Sequence, residues 1–417
     1  MSISKPEPVA HPTRRQLLLG ATAFGAGSLL AACGGGGGGG AEVVSPTPPT
    51  GGGTSTASFA EGPITGFGSI IVGGVRYDDS AASVTDDDGN AGTSSQLKLG
   101  AVVEIEGGKV DRPANALGKA VALKVVLRSS LQGVVNAVDT TNSTLTLLGQ
   151  KVVVTSSTVF DDSITGGLAG IAVGNVVEVH ALYDAVAVQF VATRIEKKTS
   201  VAEYRLRGVI GSLDTTAKTF KIGSETINYG SAPPLATPSA LVNGAFVRVR
   251  LQTAQVAGAW VATRLAIGLR SLAPKGEAEV EGVITNFTSL AAFEVNGLKV
   301  STSFSTLFPD GTAGVAVGAR VEVKGDVVDG VLVAKSVELE DEGPSKPREY
   351  ELHGTISNLD TTAKTFALRG LTIWYGGPAV QFSNGTAATL ANGKAVETKG
   401  VLAADRLRIE ARRIEFK

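Results

Sequence analysis

A unit of a little over seventy residues recurs along this chain, and nothing else in the sequence restricts its fold as strongly. The glycines of Leu131-Gln132-Gly133-Val134-Val135, Leu206-Arg207-Gly208-Val209-Ile210, Val280-Glu281-Gly282-Val283-Ile284 and Leu352-His353-Gly354-Thr355-Ile356 lie 75, 74 and 72 residues apart. A second landmark recurs as Leu99-Gly100, Val173-Gly174, Asn243-Gly244, Val317-Gly318 and Asn392-Gly393, each followed by an alternating apolar run such as Val321-Glu322-Val323. A third, Ala192-Thr193-Arg194-Ile195-Glu196, returns as Ala262-Thr263-Arg264-Leu265 and Ala411-Arg412-Arg413-Ile414-Glu415. The octapeptide from Leu213 to Phe220 reappears unchanged from Leu359 to Phe366. Landmarks in fixed order mean one supersecondary unit used several times, each copy closing a small core of its own or leaning on its neighbours.

Apolar residues alternate with polar ones over short segments, which is the period of half-buried antiparallel strands. In the unit beginning at Leu131, a first strand ends in the Asp139-Thr140-Thr141-Asn142-Ser143 turn, whose Asp and Thr side chains suit bonding to nearby amides. Strands from Thr144 to Leu148 and Lys151 to Thr155 follow. A loop from Asp161 to Gly174 leaves room for one helical turn, and a hairpin of Val176 to Leu182 and Val186 to Glu196 completes the unit. Five strands with an irregular insert after the third is the order of an OB-type Greek-key barrel. The predicted fold is therefore all-β: a tandem array of about five small five-stranded barrels at 58–129, 130–199, 200–272, 273–342 and 343–417. Internal glycines are expected where a strand bends or another backbone comes close. A core of this size supplies only about 3–5 kcal/mol, so neighbouring units are expected to pack on one another. Residues from Glu338 to Pro344 read as a charged, solvated linker before the last unit.

The first unit departs from the others. It opens with Gly62-Pro63-Ile64-Thr65-Gly66-Phe67-Gly68-Ser69-Ile70-Ile71-Val72-Gly73-Gly74-Val75 and inserts Asp86-Asp87-Asp88-Gly89-Asn90. That opening, with the Gly-Val-Ile, Gly-x-x-Val-x-Val and Ala-Thr-Arg-Ile-Glu landmarks, resembles bacterial lipoproteins built from tandem DUF5666 domains. The resemblance spans about residues 60–417. It implies OB-like β-modules in the cell envelope and carries over no catalytic or binding residue, since the family has no assigned activity.

The N-terminal segment agrees with an envelope location. Arg14 and Arg15 precede an uncharged apolar stretch from Leu17 to Leu30, closed by Leu30-Ala31-Ala32-Cys33. A positive start, a short apolar core and small residues before a cut are the marks of an export signal. The stretch falls short of the ~20 apolar residues a bilayer span needs. Leu30-Ala31-Ala32-Cys33 resembles the lipobox of bacterial lipoproteins, which implies cleavage after residue 32 and acylation of Cys33, the single cysteine of the chain. Thr13-Arg14-Arg15-Gln16-Leu17-Leu18 resembles a twin-arginine export signal, although ordinary export signals also carry paired basic residues. Gly34 stands where Asp is the inner-membrane retention signal of enteric lipoproteins, so the outer membrane is favoured. Residues 33–57, rich in Gly and Pro, read as a flexible tether.

Few residues speak for chemistry. The chain has 38 Lys+Arg against 39 Asp+Glu, a net charge of −1. Without residues 1–32, which hold Lys5, Arg14, Arg15 and Glu7, the net charge is −3. That balance, with 5% aromatic residues, gives nucleic acid little to bind. Of three histidines, His11 leaves with the signal, and His180 and His353 read as surface or half-buried strand residues at non-equivalent positions. No carboxylate pair is read as recurring between units. The best metal candidate is Asp86-Asp87-Asp88-Gly89-Asn90, whose oxygens and sharp turn suit calcium. It lacks the closing Glu of a twelve-residue loop and is read as a solvated hairpin tip. Trp260, Trp374, Tyr375 and Phe382 could line a sugar platform, but read as barrel plugs. The expectation is thus a non-enzymatic envelope scaffold or interaction protein without cofactor or metal. It would be held to a membrane by a lipid on Cys33, with an envelope protein or polysaccharide as partner. A ligand-binding protein for a glycan, small molecule or divalent cation is the alternative, and a hydrolase the least supported reading.

Overall fold

Period-two alternation becomes strand wherever one face can be buried. In Arg320–Val328, Val321, Val323 and Val327 are buried, while Glu322 and Lys324 between them point the other way. The computed structural model describes residues 57–417 apart from 115, 234, 236–237, 268–271 and 341–346. Arg14, Arg15, Leu30, Ala31, Ala32 and Cys33 lie outside the described residues, as does the expected tether up to residue 56.

The described chain is all-β, folded as small closed barrels. In the second barrel, Leu131–Asp139 pairs antiparallel with Thr144–Leu147, and that strand with Gln150–Phe160. Gln150–Phe160 runs parallel to Gln189–Lys198, which pairs antiparallel with Val176–Asp184. Val176–Asp184 returns to Leu131–Asp139 and closes the ring. The barrels opening with Tyr204–Asp214, Lys275–Ser289 and Glu349–Thr355 repeat this circuit, including the parallel contact with the last strand, which in the fifth is made by two short strands. The first barrel splits its opening strand into Ser58–Pro63 and Gly66–Phe67. Ser58–Pro63 pairs with Val102–Gly107 and Gly66–Phe67 with Ile70–Val72, closing the same circuit.

The landmark glycines have separate physical reasons. Gly100, Gly174, Gly244, Gly318 and Gly393 all have φ between +79° and +88°, a region that costs an L-residue about 1–2 kcal/mol. That twist aims each glycine N–H at the first strand: Gly100 at Ile64 O, Gly174 at Val135 O, Gly244 at Ile210 O, Gly318 at Ile284 O and Gly393 at Ile356 O, all at 2.8–2.9 Å. The glycines inside the first strands are needed for space instead. A Cβ on Gly133 would sit 2.6 Å from Leu148 Cδ1, on Gly208 2.3 Å from Ile222 Cγ2, and on Gly282 2.3 Å from Asn296 Nδ2. The expected close neighbour at these positions is a side chain rather than a backbone. Backbone approach belongs to Gly325 and Gly400, whose Cβ would meet Val333 O at 2.1 Å and Glu410 O at 2.3 Å. The repeated octapeptide folds identically twice: Asp214 accepts from the Thr216 and Ala217 amides and Asp360 from those of Thr362 and Ala363, with φ +58° at both Lys218 and Lys364.

Packing between barrels does not follow chain order alone. Ser58–Glu61 pairs in parallel with Glu277–Val280 of the fourth barrel, and Gly66–Phe67 with Glu351–Leu352 of the fifth. Arg194 of the second barrel donates to Leu99 O of the first at 3.2 Å, and Tyr350 of the fifth to Ser157 O of the second at 2.9 Å. The second and third barrels share one apolar cluster. Phe59 of the first barrel enters the core of the fourth, and Leu99 that of the fifth. Chain neighbours do pack on one another, as the second and third show, and the first barrel adds contacts with the fourth and fifth.

The two glycine classes should respond differently to alanine. Gly244→Ala, with open space around the new Cβ, should cost about 1–2 kcal/mol in denaturant unfolding. Gly208→Ala should cost about 1–3 kcal/mol through overpacking. Only the latter should be less than additive with Ile222→Ala; additivity there would refute the steric explanation.

Candidate functional site

Because strand side chains alternate between faces, the residue before each first-strand glycine points out of its barrel. In chain order these residues are Glu61, Gln132, Arg207, Glu281 and His353. The first four are at most 9% exposed although they sit on an outer wall. What covers them is another barrel. Glu61 accepts from Asn296 Nδ2 of the fourth at 3.1 Å, and Gln132 donates to Glu203 O of the third at 3.3 Å. Arg207 pairs with Asp87 of the first, Glu281 with Arg348 at the start of the fifth, and His353 Nε2 lies 2.5 Å from Arg76 Nη2 of the first. Single polar groups thus recur at one matching position, a pattern that a reading for recurring carboxylate pairs does not address. The residue type changes from copy to copy, which hides the pattern from any search for one repeated catalytic group.

The Asp86–Asp88 hairpin shows the strength of this docking. It is no solvated tip: the three side chains are 11–14% exposed and face arginines of the third barrel. The turn forms because Asp86 Oδ1 accepts from the Asp88 and Asn90 amides at 3.0 and 2.9 Å. Arg250 Nη2 reaches Asp86 Oδ2 at 2.8 Å, Arg248 Nη1 reaches Asp87 Oδ2 at 3.0 Å, Arg207 binds Asp87, and Arg250 also binds Asp88. Burial pushes the Asp87 carboxyl up, but Arg207 and Arg248 outweigh it and hold the pKa below the usual range. Burial pulls Arg207 down to about 9, against the raising effect of Asp87, so it stays charged at neutral pH. Guanidinium groups therefore occupy the place a metal ion would take. Asp87→Ala strands a buried arginine and should cost about 3–5 kcal/mol in denaturant unfolding. Asp162→Ala, at an exposed position, should cost under about 0.5 kcal/mol.

Two other acidic groups have metal-like spacing, and both are crossed by cations. Glu351, His353 and Glu397 share Arg76, Lys399 and Lys417. Near Glu322, Glu338 and Glu340, Lys324 lies 3.2 Å from Glu322. His180 is 2% exposed rather than at the surface, its Nδ1 2.9 Å from Arg128 O, and burial drives its pKa down against the pull of Glu178. Trp260 donates to Glu225 Oε2 at 2.6 Å and packs edge-on to Tyr204 in the third barrel. Tyr375 and Phe382 belong to the core of the fifth, and Trp374 lies under the Arg408 guanidinium. These aromatics therefore do not share one face.

The stretch read as a linker begins as strand: Val331–Leu339 includes Glu338 and Leu339, and Glu340 donates its N–H to Arg320 O at 2.9 Å. Residues 341–346 lie outside the described set. Burial, then Glu281 and Glu322, raise the Glu340 carboxyl to about 7. A carboxyl raised on folding favours the native state below its unfolded pKa and loses that contribution as pH climbs towards its folded one. Glu340→Gln should therefore raise the melting temperature at pH 8 and leave it nearly unchanged at pH 4, measured by calorimetry. An equal gain at both values would refute the assignment.

Where four barrels meet, the structure holds a cavity of about 500 Å³, a volume ordinary for small-molecule sites. Val102 of the first barrel, Leu182, Tyr183 and Phe190 of the second, and Phe246 and Ile267 of the third form its apolar wall. Tyr183 lies 4.9 Å from Phe190 and 5.2 Å from Phe246 between ring centroids. Glu61, Arg128, Arg207, Glu294 and Asn296 supply its polar part. Two of these, Glu61 and Arg207, are residues preceding a landmark glycine, so docking of the barrels builds the cavity. No residue of this set was singled out as a site from sequence. Val209, an apolar residue outside the core and 39% exposed, also lines the cavity.

Comparison with known families matches a family described as a domain of unknown function, DUF5666, at residues 61–112, 132–196, 281–338 and 353–415. The chain belongs to the DUF5666 family. No curated protein matches it. The matched segments fall in the first, second, fourth and fifth barrels. The third barrel, outside the matched segments, keeps the strand circuit and carries Arg205, Arg207, Arg248 and Arg250, the residues that receive the aspartate hairpin.

Proposed function

We propose that this DUF5666 protein is a lipid-anchored, non-catalytic binding protein of the bacterial cell envelope, most at home at the outer membrane. The cavity shared by four barrels carries the binding part of this reading. It offers an aromatic wall and few polar groups, while the charged groups best able to do chemistry are committed to structure: Arg128 to Glu104 and Arg207 to Asp87. The strand circuit, with its parallel contact between third and fifth strands, supports the OB-like reading of each barrel. The anchoring part rests on Arg14, Arg15 and the Leu30-Ala31-Ala32-Cys33 run. Lipid chains on Cys33 give stable attachment once more than one is present.

A scaffold that engages an envelope protein or polysaccharide is the second reading, supported by repetition of the module. The cavity favours the first, because one joint site serves binding better than avidity. Native mass spectrometry of protein released from envelope membranes tests both halves. Acyl mass on residue 33 should vanish in Cys33→Ala, with loss from the membrane fraction. A second, non-covalent mass should vanish in Val209→Trp, which fills the cavity. Membrane attachment unchanged by Cys33→Ala would refute the anchor.

A further inference from the structure

Two arginines and two glutamates line the cavity, and they are held differently. Arg128 is bonded to Glu104 and Arg207 to Asp87, and neither acid lines the cavity. Each guanidinium thus has its ion pair behind the wall, although Asp87 is shared with Arg248 and the charge of Glu61 also acts on Arg207. Glu61 and Glu294, which do line it, lack an ion pair among the described residues. Glu61 is 9% exposed and receives a single hydrogen bond, from Asn296 Nδ2 at 3.1 Å. Glu294 stands opposite Lys299 in the hairpin register without a salt bridge to it. Two carboxylates thus face a largely apolar space whose other wall is the Tyr183, Phe190 and Phe246 cluster.

Aromatic faces attract a cation through the ring quadrupole, more strongly once water is excluded. A carboxylate in apolar surroundings gains from any cation that replaces its lost hydration. A metal ion fits this site poorly, because among the described residues neither Glu61 nor Glu294 belongs to a group of three carboxylate, histidine or cysteine ligands at metal spacing. An organic cation satisfies both halves: its charge meets Glu61 and Glu294, and its apolar body covers Val209, Phe246 and Ile267. We propose that the cavity binds an amphipathic organic cation, an amine or quaternary ammonium on an aromatic or aliphatic body. This rests on the binding reading above and names its ligand class.

The test uses the full chain carrying Cys33→Ala, so that no acyl chain offers an apolar site of its own. Two fluorescent dyes of opposite charge are titrated: a trimethylammonium derivative of diphenylhexatriene and anilinonaphthalene sulfonate. The cationic dye should bind at one site per chain, be abolished by Val209→Trp and be weakened about tenfold by Glu61→Gln. Glu294→Gln provides a second variant should Glu61→Gln melt early, with thermal unfolding run on each. If the sulfonate binds the Val209-dependent site as tightly, or neither glutamine variant weakens the cationic dye, the ligand class is overturned and the binding reading stands. If neither dye gives a Val209-dependent signal, both are overturned.

Discussion

In each barrel the pairing that closes the ring begins beside one backbone hydrogen bond donated by a glycine in the left-handed region. The N–H of Gly100, Gly174, Gly244, Gly318 or Gly393 reaches a carbonyl two residues beyond the first-strand glycine, or beyond Gly62 in the first barrel. The strand that follows then begins in register beside the first, so closure and register are set together. Bulges in the fourth strand, as between Lys324 and Gly325 or Lys399 and Gly400, supply the bend that completes the ring. Without cysteines in the barrels, this geometry and apolar burial carry a stability that small secreted modules often draw from disulfides.

Closure fixes which side chains point outward, and the outward position beside the glycine has become the docking position. Glu61, Gln132, Arg207, Glu281 and His353 each meet a barrel other than their own, Arg207 and His353 both the first. Varying the residue at one shared position lets near-identical modules choose distinct neighbours, much as charged positions select partners in other repeated structures. Desolvation makes such choices strict, because a buried charge set against the wrong neighbour has no solvent to fall back on.

That arrangement also produces a feature shared by four barrels, the cavity. A single small barrel has an interior filled by its own side chains. Space for a ligand arises here between modules, where Tyr183, Phe246 and Val209 stay outside their own cores. Function in this protein would then belong to the assembly of barrels and not to any one repeat.

The sequence by itself determined the barrel: alternating apolar residues, turn-forming Asp-Thr-Thr, and glycines at fixed intervals are local signals that a short stretch carries whole. It also marked Cys33, whose neighbourhood is local too. The docking of Asp87 on Arg207 across 120 residues, the burial of His180 and the pairing of Ser58–Glu61 with the fourth barrel were decided by tertiary structure alone. A charged residue on an outer strand face reads as solvated until the surface that covers it is known. The cavity escaped notice for the same reason: its walls come from four repeats, and nothing local distinguishes an apolar residue that faces a neighbour from one that faces water.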